Sequence, residues 1–364
     1  MSAFAERGER LARLAAEREL DLLLVSNLVN VRYLTGYSGT NGICLVGASE
    51  RIFATDFRYY ERMKTGLRDY EVRRAKEDLL GAVGEALGER TASGALRLGF
   101  DDSHLTVRAH RKLQEIVSGK AELVPAGGLV EELRAVKDGE ELEAIRRATA
   151  LADDAYHWLV SKHGLAGHTE RAVALALERK AIDLGAEELS FPPIVAAAEN
   201  GALPHAEPRD VEIAADTLVI VDFGCRVDGY CSDCTRTFAT GNLDPEAGEC
   251  YELVRVAQSA ALASVAPGAD VREVDSAART KIDQAGRKDE FGHGTGHGVG
   301  LEVHEAPRLS PSGEGRLVSG NVVTVEPGVY VPGRFGVRIE DLVVVTPGGH
   351  EVLTSMPKEL LTVG

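Results

Sequence analysis

The sequence predicts an α/β N-terminal domain followed by a larger α+β domain made of two similar halves. Three observations carry this. Short apolar runs alternate with helical stretches in the first third, a charged stretch with an Asp-Gly break follows, and an order of helix, helix and strands then occurs twice. At 364 residues, 44% hydrophobic and 27% charged, the chain is long enough for two domains with a sizeable core.

In the first domain, Ala5 to Arg18 reads as a helix and Leu22 to Val25 as a strand. Gly36 to Gly42 is rich in turn residues, and Ile43 to Val46 pairs with Arg51 to Ala54. A further strand is expected around Gly99-Phe100, and a helix over Arg108 to Val117. The charged stretch EELRAVKDGEELEAIRR, Glu131 to Arg147, marks the boundary and divides the chain into 1–130 and 131–364.

In the second domain, helices are expected over Glu140 to Lys162 and Thr169 to Leu184. Val173, Leu177, Ala181 and Leu184 form an apolar stripe, and Gly185 is placed to cap the C-terminus. Strands follow at Ile194 to Ala197 and within Thr217 to Ala239. The second pass has helices starting at Asp244-Pro245 and at Asp270, where Glu273 suggests a capping box. Its strands lie within Val322 to Val331 and Gly336 to Val345.

A net charge of −16 argues against nucleic-acid or anionic-membrane partners, since phosphates would be repelled. Met1 to Arg13 carries both charge signs and no apolar run, and no stretch of about 18 apolar residues occurs anywhere. Five unevenly spaced cysteines make a poor disulfide framework. The expected location is the cytoplasm.

The segment LVIVDFGCRVDGYCSDCTRTF, Leu218 to Phe238, reads as a hairpin turning at Asp228-Gly229. That turn pairs Val227 with Tyr230 and, counting back, Gly224 with Asp233. Asp222 then becomes a diagonal neighbour of Asp233 on one face. A second hairpin, VTVEPGVYVPGRFGVRIED, turns near Pro332-Gly333 and sets Glu326 roughly opposite Glu340. Like charges at about 5 Å, with an effective dielectric of about 20, repel by roughly 3 kcal/mol per pair. The acids could share protons or face solvent, but a divalent cation would remove the repulsion of both pairs at once.

Phe291 to His304, FGHGTGHGVGLEVH, holds His293, His297 and His304. The i, i+4 spacing of the first two imitates a helical zinc motif, but the glycines argue against a helix. Cys225, Cys231 and Cys234 imitate a partial zinc site, yet the hairpin register splits their thiols between two faces. No G-x-S-x-G elbow supports a serine nucleophile.

Together these segments resemble the pita-bread metallopeptidase family, which includes methionine aminopeptidase, aminopeptidase P and prolidase. The resemblance covers nearly the whole chain and implies that Asp222, Asp233, His297, Glu326 and Glu340 hold two divalent metal ions. In it, Asp233 and Glu340 bridge the ions, Asp222 completes one site, and His297 with Glu326 completes the other. Four carboxylates and one imidazole suit Mn²⁺ first, with Co²⁺, Fe²⁺ or Zn²⁺ as alternatives. The resemblance also makes Glu326 the proton acceptor, with His205 and His304 contacting substrate and stabilising the tetrahedral intermediate.

An N-terminal domain of this kind resembles aminopeptidase P and prolidase rather than methionine aminopeptidase. Arg308, in HEAPR, matches an arginine that takes the free carboxylate of a dipeptide in prolidases. Phe191 matches an apolar contact for the proline ring, and Arg338 an arginine behind the metal ligands. The implied activity is Xaa-Pro dipeptidase, with aminopeptidase P as the alternative, acting on short proline-containing peptides as a homodimer. A metal-free C–N hydrolase or a non-catalytic binding protein on the same fold fits less well, because neither needs converging carboxylates.

Overall fold

The computed structural model describes residues 2–76, 78–88 and 96–364, which form two compact units, Met1–Arg134 and Ala135–Gly364. Among the described residues no helix is long and apolar enough to cross a membrane.

The first unit opens with α1 (Ala3–Glu17), capped by the Ser2 side chain, which accepts from the Ala5 amide. Then come β1 (Leu22–Val25), α2 (Leu28–Thr35), β2 (Gly42–Gly47), β3 (Arg51–Thr55), α3 (Phe57–Gly66) and β4 (Glu71–Arg74). The unit continues through α4 (Leu79–Gly88), β5 (Leu96–Phe100), α5 (Val107–Val117), β6 (Ala121–Pro125) and α6 (Leu129–Ala135). Its six strands form one sheet in the order β4-β3-β2-β1-β5-β6. The expected pairing of β2 with β3 is present and antiparallel, whereas β1 pairs with β5 in parallel. All four residues of β1 are buried, the mark of a strand covered on both faces. Leu22, Leu24, Leu45, Ile52, Leu98 and Phe100 form part of the core.

The second unit begins with α7 (Gly139–Trp158), which runs on as a π-helical turn over Leu159–His163. The helix expected over Glu140 to Lys162 is therefore α-helical only to Trp158. After α8 (Glu170–Leu184) come β7 (Glu188–Leu189), β8 (Ile194–Ala197), a 3₁₀ turn over Ala198–Ala202, and β9 (Leu218–Asp222). The hairpin strands β10 (Cys225–Val227), β11 (Tyr230–Cys231) and β12 (Thr235–Ala239) complete the first half. The second half has α9 (Pro245–Ala263), α10 (Val271–Gln284), β13 (Gly296–Gly298), β14 (Glu305–Leu309) and β15 (Val322–Val325). It ends with β16 (Gly328–Val331), β17 (Phe335–Arg338), β18 (Asp341–Thr346) and β19 (Gly349–Val352).

The two halves are built alike. Tyr156 of α7 and Val173, Leu177 and Ala181 of α8 pack with Val219, Val221 and Phe238 of a sheet ordered β12-β9-β8. Val254 of α9 and Val274 of α10 pack with Val323 and Val343 of a sheet ordered β14-β13-β15-β18-β19. Gly185 ends α8 at φ 110°, as its position suggests.

The capping box is not where the sequence places it. Asp270 accepts from the Arg272 amide and ion-pairs with the Arg272 side chain, so its carboxylate is engaged two residues on rather than with Glu273. The reciprocal box forms at Asp138 and Glu141 instead, and starts α7.

Candidate metal centre and active site

The first carboxylate hairpin turns through Asp228 and Gly229, both at positive φ (50° and 85°), the geometry a two-residue hairpin favours. Val227 faces Tyr230, and further along Asp222 faces Thr235, so one register runs through the whole hairpin. Asp233 is thereby the diagonal neighbour of Asp222. A Cβ on Gly224 would sit 1.7 Å from the Ser232 carbonyl, so only glycine permits this approach of the strands. The Tyr156 hydroxyl lies 2.9 Å from the Val221 carbonyl and 2.8 Å from that of Cys234, bridging the strands beside both acids.

In the second hairpin Gly328 faces Arg338 and Val331 faces Phe335, and the same register joins Val325 to Asp341. Glu326 and Glu340 fall opposite each other within it. The turn spans three residues, Pro332 to Arg334, with Gly333 at its centre. Within the glycine-rich histidine run, Gly296–Gly298 forms a short strand, β13, between β14 and β15. At Gly296 a Cβ would meet the Thr324 carbonyl at 2.0 Å, which accounts for one of those glycines.

These elements line a cavity of about 620 Å³. Phe191, His205, Asp222, Asp233, His297, His304, Arg308, Glu326, Arg338 and Glu340 all reach its wall. One ligand atom each from Asp233, His297 and Glu340 lies within 4.8 Å of the others. His297 Nε2 is 3.3 Å from Glu326 Oε1 and 3.7 Å from Asp233 Oδ2. Asp222 is held differently. Its Oδ2 accepts from Arg338 Nη2 at 2.7 Å, while its buried Oδ1 has no hydrogen-bond partner.

Burial pushes the carboxyls of Asp233 and Glu340 well above the ordinary carboxylate range, and neighbouring acids push the same way. Burial also raises Asp222, against the opposing pull of Arg338. Glu326 goes the other way: burial would raise it, but the hydrogen bond and charge of His297, with His293 and Arg338, take it to about 2. His297 is raised because Glu326 outweighs the cost of burying its charge. His304 and His293 are lowered, by burial first, and remain neutral donors near pH 7.

Whether this set fits a metal can be judged on its own chemistry. Four hard carboxylates and one imidazole converge where Arg338 pairs with one acid and His297 with another, and the buried Asp222 Oδ1 has no hydrogen-bond partner. Oxygen-rich donors of this kind suit a divalent first-row cation, which would satisfy that oxygen and offset the repulsion. The residues fit.

Three further side chains belong to the site. Arg338, 3% exposed, donates to Thr235 Oγ1, the Tyr330 hydroxyl and the Pro204 carbonyl besides Asp222. Thr235 Oγ1 in turn donates to Glu340 Oε2 at 2.7 Å. His293 Nε2 lies 2.9 Å from the Tyr330 hydroxyl, on the cavity wall. The sequence marks His293 only as part of a histidine run, and Tyr330 and Thr235 carry no signal beyond their hairpins. Arg308 and His205 are exposed at the cavity, and no ion-pair partner holds the Arg308 guanidinium among the described residues.

Comparison with known proteins agrees with this reading. Metallopeptidase family M24 matches residues 143–347, and the creatinase/prolidase N-terminal domain matches residues 7–136. The chain is 38% identical to an uncharacterized peptidase of Bacillus subtilis, across 97% of this chain and 99% of the relative. An Xaa-Pro dipeptidase from Bacillus anthracis superimposes with a TM-score of 0.94 at 36% identity, covering 99% of both chains. An X-Pro aminopeptidase from Thermotoga maritima superimposes with a TM-score of 0.88 at 32% identity, covering 98% of this chain and 99% of the other.

Proposed function

The chain belongs to metallopeptidase family M24, and we propose that it hydrolyses the Xaa-Pro bond of dipeptides with two divalent metal ions, Mn²⁺ foremost. The observation that carries this is a single cavity holding both the converging acids and an unpaired arginine. Asp222, Asp233, His297, Glu326 and Glu340 would hold the ions. When bound, such ions acidify a water and polarise the scissile carbonyl.

The remaining work falls to the chain. Arg308 offers a planar fork to the free carboxylate of a dipeptide, and Phe191 offers an apolar face to the proline ring. His205 and His304 donate hydrogen bonds to the oxygen on which charge develops. Glu326, with 17% of its side chain exposed, is more open to the cavity than Asp222 (11%) or Asp233 (6%). It takes the proton from the attacking water and returns it to the proline nitrogen as the C–N bond breaks. Function as a homodimer in the cytoplasm completes the proposal, and light scattering of the purified protein tests the dimer.

The alternative is an Xaa-Pro aminopeptidase, which the exposed setting of Arg308 would permit because a longer chain could pass it. Stripping the protein with a chelator, restoring Mn²⁺ and comparing Leu-Pro with a Leu-Pro-Xaa tripeptide separates the two. Cleavage of the dipeptide, lost in Arg308→Ala by about tenfold or more in kcat/KM, is expected. Preference for the tripeptide, untouched by Arg308→Ala, transfers the assignment to the aminopeptidase. Failure to cleave either peptide with any of the four metals overturns both.

A further inference from the structure

His205 is carried by a loop between β8 and β9, and that loop is held by one carboxylate. Glu170, at the first position of α8 and 1% exposed, receives the Ala197 amide on Oε1 at 2.9 Å. On Oε2 it receives Asn200 Nδ2 at 2.8 Å and the Arg209 amide at 2.8 Å. The Arg209 side chain adds Nε at 3.2 Å and Nη2 at 3.3 Å. Ala197 and Arg209 stand twelve residues apart, and everything between them, His205 included, is closed into a loop across this one side chain.

Two features show that the loop is constrained rather than merely packed. Ala198 adopts φ 47°, a left-handed conformation that a residue with a Cβ takes only when its surroundings impose it. Asn200, whose amide contacts Glu170, also donates to the Glu207 carbonyl at 3.2 Å, so the clamp reaches both sides of His205. The loop also presents the Pro204 carbonyl to Arg338 Nη1 at 3.2 Å. The residue before His205 is therefore tied to the arginine that holds Asp222.

We infer that Glu170 is a positioning residue that holds the 197–209 loop so that His205 meets the substrate. It touches no substrate itself. The inference rests on the reading of His205 as a substrate-contacting donor. Its physical basis is that displacing a donor by about 1 Å can cost on the order of a hundredfold in rate.

Glu170→Gln and Glu170→Ala test it. The amide keeps the shape but turns one acceptor oxygen into a donor facing these N–H groups, and the alanine variant removes both oxygens. Hydrogen–deuterium exchange of 197–209 should rise by about tenfold or more in either variant, with bound metal per chain unchanged. On Leu-Pro, kcat/KM should fall by roughly ten- to hundredfold. His205→Ala should then cost much less in the Glu170→Gln background than in the unaltered chain, because its donor has already left its place. Unchanged exchange in 197–209, or an equal His205→Ala effect in both backgrounds, overturns the inference. If the unaltered protein cleaves no Xaa-Pro peptide, the functional reading fails, while the exchange measurement still decides the clamp.

Discussion

The buried carboxylate of Asp341 allows the electrostatics beside the converging acids to be tested without any metal. It is 1% exposed and takes four donors. Oδ1 receives Arg236 Nη2 at 2.8 Å and Thr354 Oγ1 at 2.9 Å, and Oδ2 receives Lys358 Nζ at 2.6 Å and Gln258 Nε2 at 2.9 Å. Arg236, also 1% exposed, spends its other donors on carbonyls, including those of Thr235, Met356 and Glu340. One anion therefore serves two cations. Asp341→Asn keeps the shape, removes the charge and replaces an acceptor facing two donors with a donor. Unpairing a buried ion pair costs about 3–5 kcal/mol, and two lost hydrogen bonds to a charged group at about 1.5–3 kcal/mol each give a similar figure. A loss of about 4 kcal/mol is expected. Burial would raise the Asp341 carboxyl, but Arg236 and Lys358 outweigh it and hold the value below the ordinary 3.8. A lowered folded value means that the charge stabilises above the unfolded pKa and that this stability is lost as pH falls through the folded one. The gap between the two proteins should therefore be constant from pH 7 to 5 and narrow only below about pH 4. Urea unfolding of chelated protein, followed by the fluorescence of the single tryptophan, Trp158, measures it. A gap under about 1 kcal/mol at pH 7, or one already shrinking by pH 5, would show that this pair is not what holds the segment.

Metal should stabilise the fold as well as support catalysis. A divalent ion at 100 times its Kd adds about 2.7 kcal/mol, roughly 5–11 °C in the melting midpoint of the second unit, and EDTA should reverse it. A midpoint that ignores both additions speaks against the centre. Gly224→Ala places a Cβ 1.7 Å from the Ser232 carbonyl and should cost about 3 kcal/mol or more, or abolish soluble expression. A variant as stable as the unaltered chain would mean that the strands do not approach this closely. The cysteines should be nearly inert in the folded protein, since burial pushes Cys225 up to about 12 and Cys250 up to about 11, and raises Cys44, Cys231 and Cys234 as well. Against an ordinary value of 9.0, the thiolate fractions of Cys225 and Cys250 at pH 8 drop about a hundredfold or more. Thiol titration should find five groups only after denaturation, and rapid reaction of the native protein would contradict their burial.

What could be read from the sequence was whatever strand arithmetic controls. A strand's side chains alternate strictly, so once Asp228-Gly229 is taken as the turn, the neighbourhood of Asp222 and Asp233 follows by counting. The same counting sets Glu326 against Glu340, even though that turn has three residues rather than two. Helix ends depend on a nearer contest and were harder. Asp138 and Asp270 each precede a glutamate by three residues, but Asp270 is taken by Arg272, so only Asp138 forms the box. The π-helical turn after Trp158 left no trace in residue type.

The partners of the acids were least legible, because the fold rather than the chain order chooses them. Only the family resemblance singles out Arg338, 116 positions from Asp222, and nothing near Glu170 announces a loop that returns to it through Arg209. Yet the sequence did state the problem those partners address, since two opposed pairs of acids on apolar strands cannot all stay charged without help. Arg338 serves Asp222 and His297 serves Glu326. His297 Nε2 lies farther from Asp233 (3.7 Å) than from Glu326 (3.3 Å), Glu340 receives a hydroxyl from Thr235, and burial drives both Asp233 and Glu340 toward the protonated form. Of the four acids, these are the two for which a metal ion changes most, and they are also the two that the family resemblance sets between the ions. Arg338 and His297 therefore steady Asp222 and Glu326, while Asp233 and Glu340 are the acids whose charge a bound metal ion would restore.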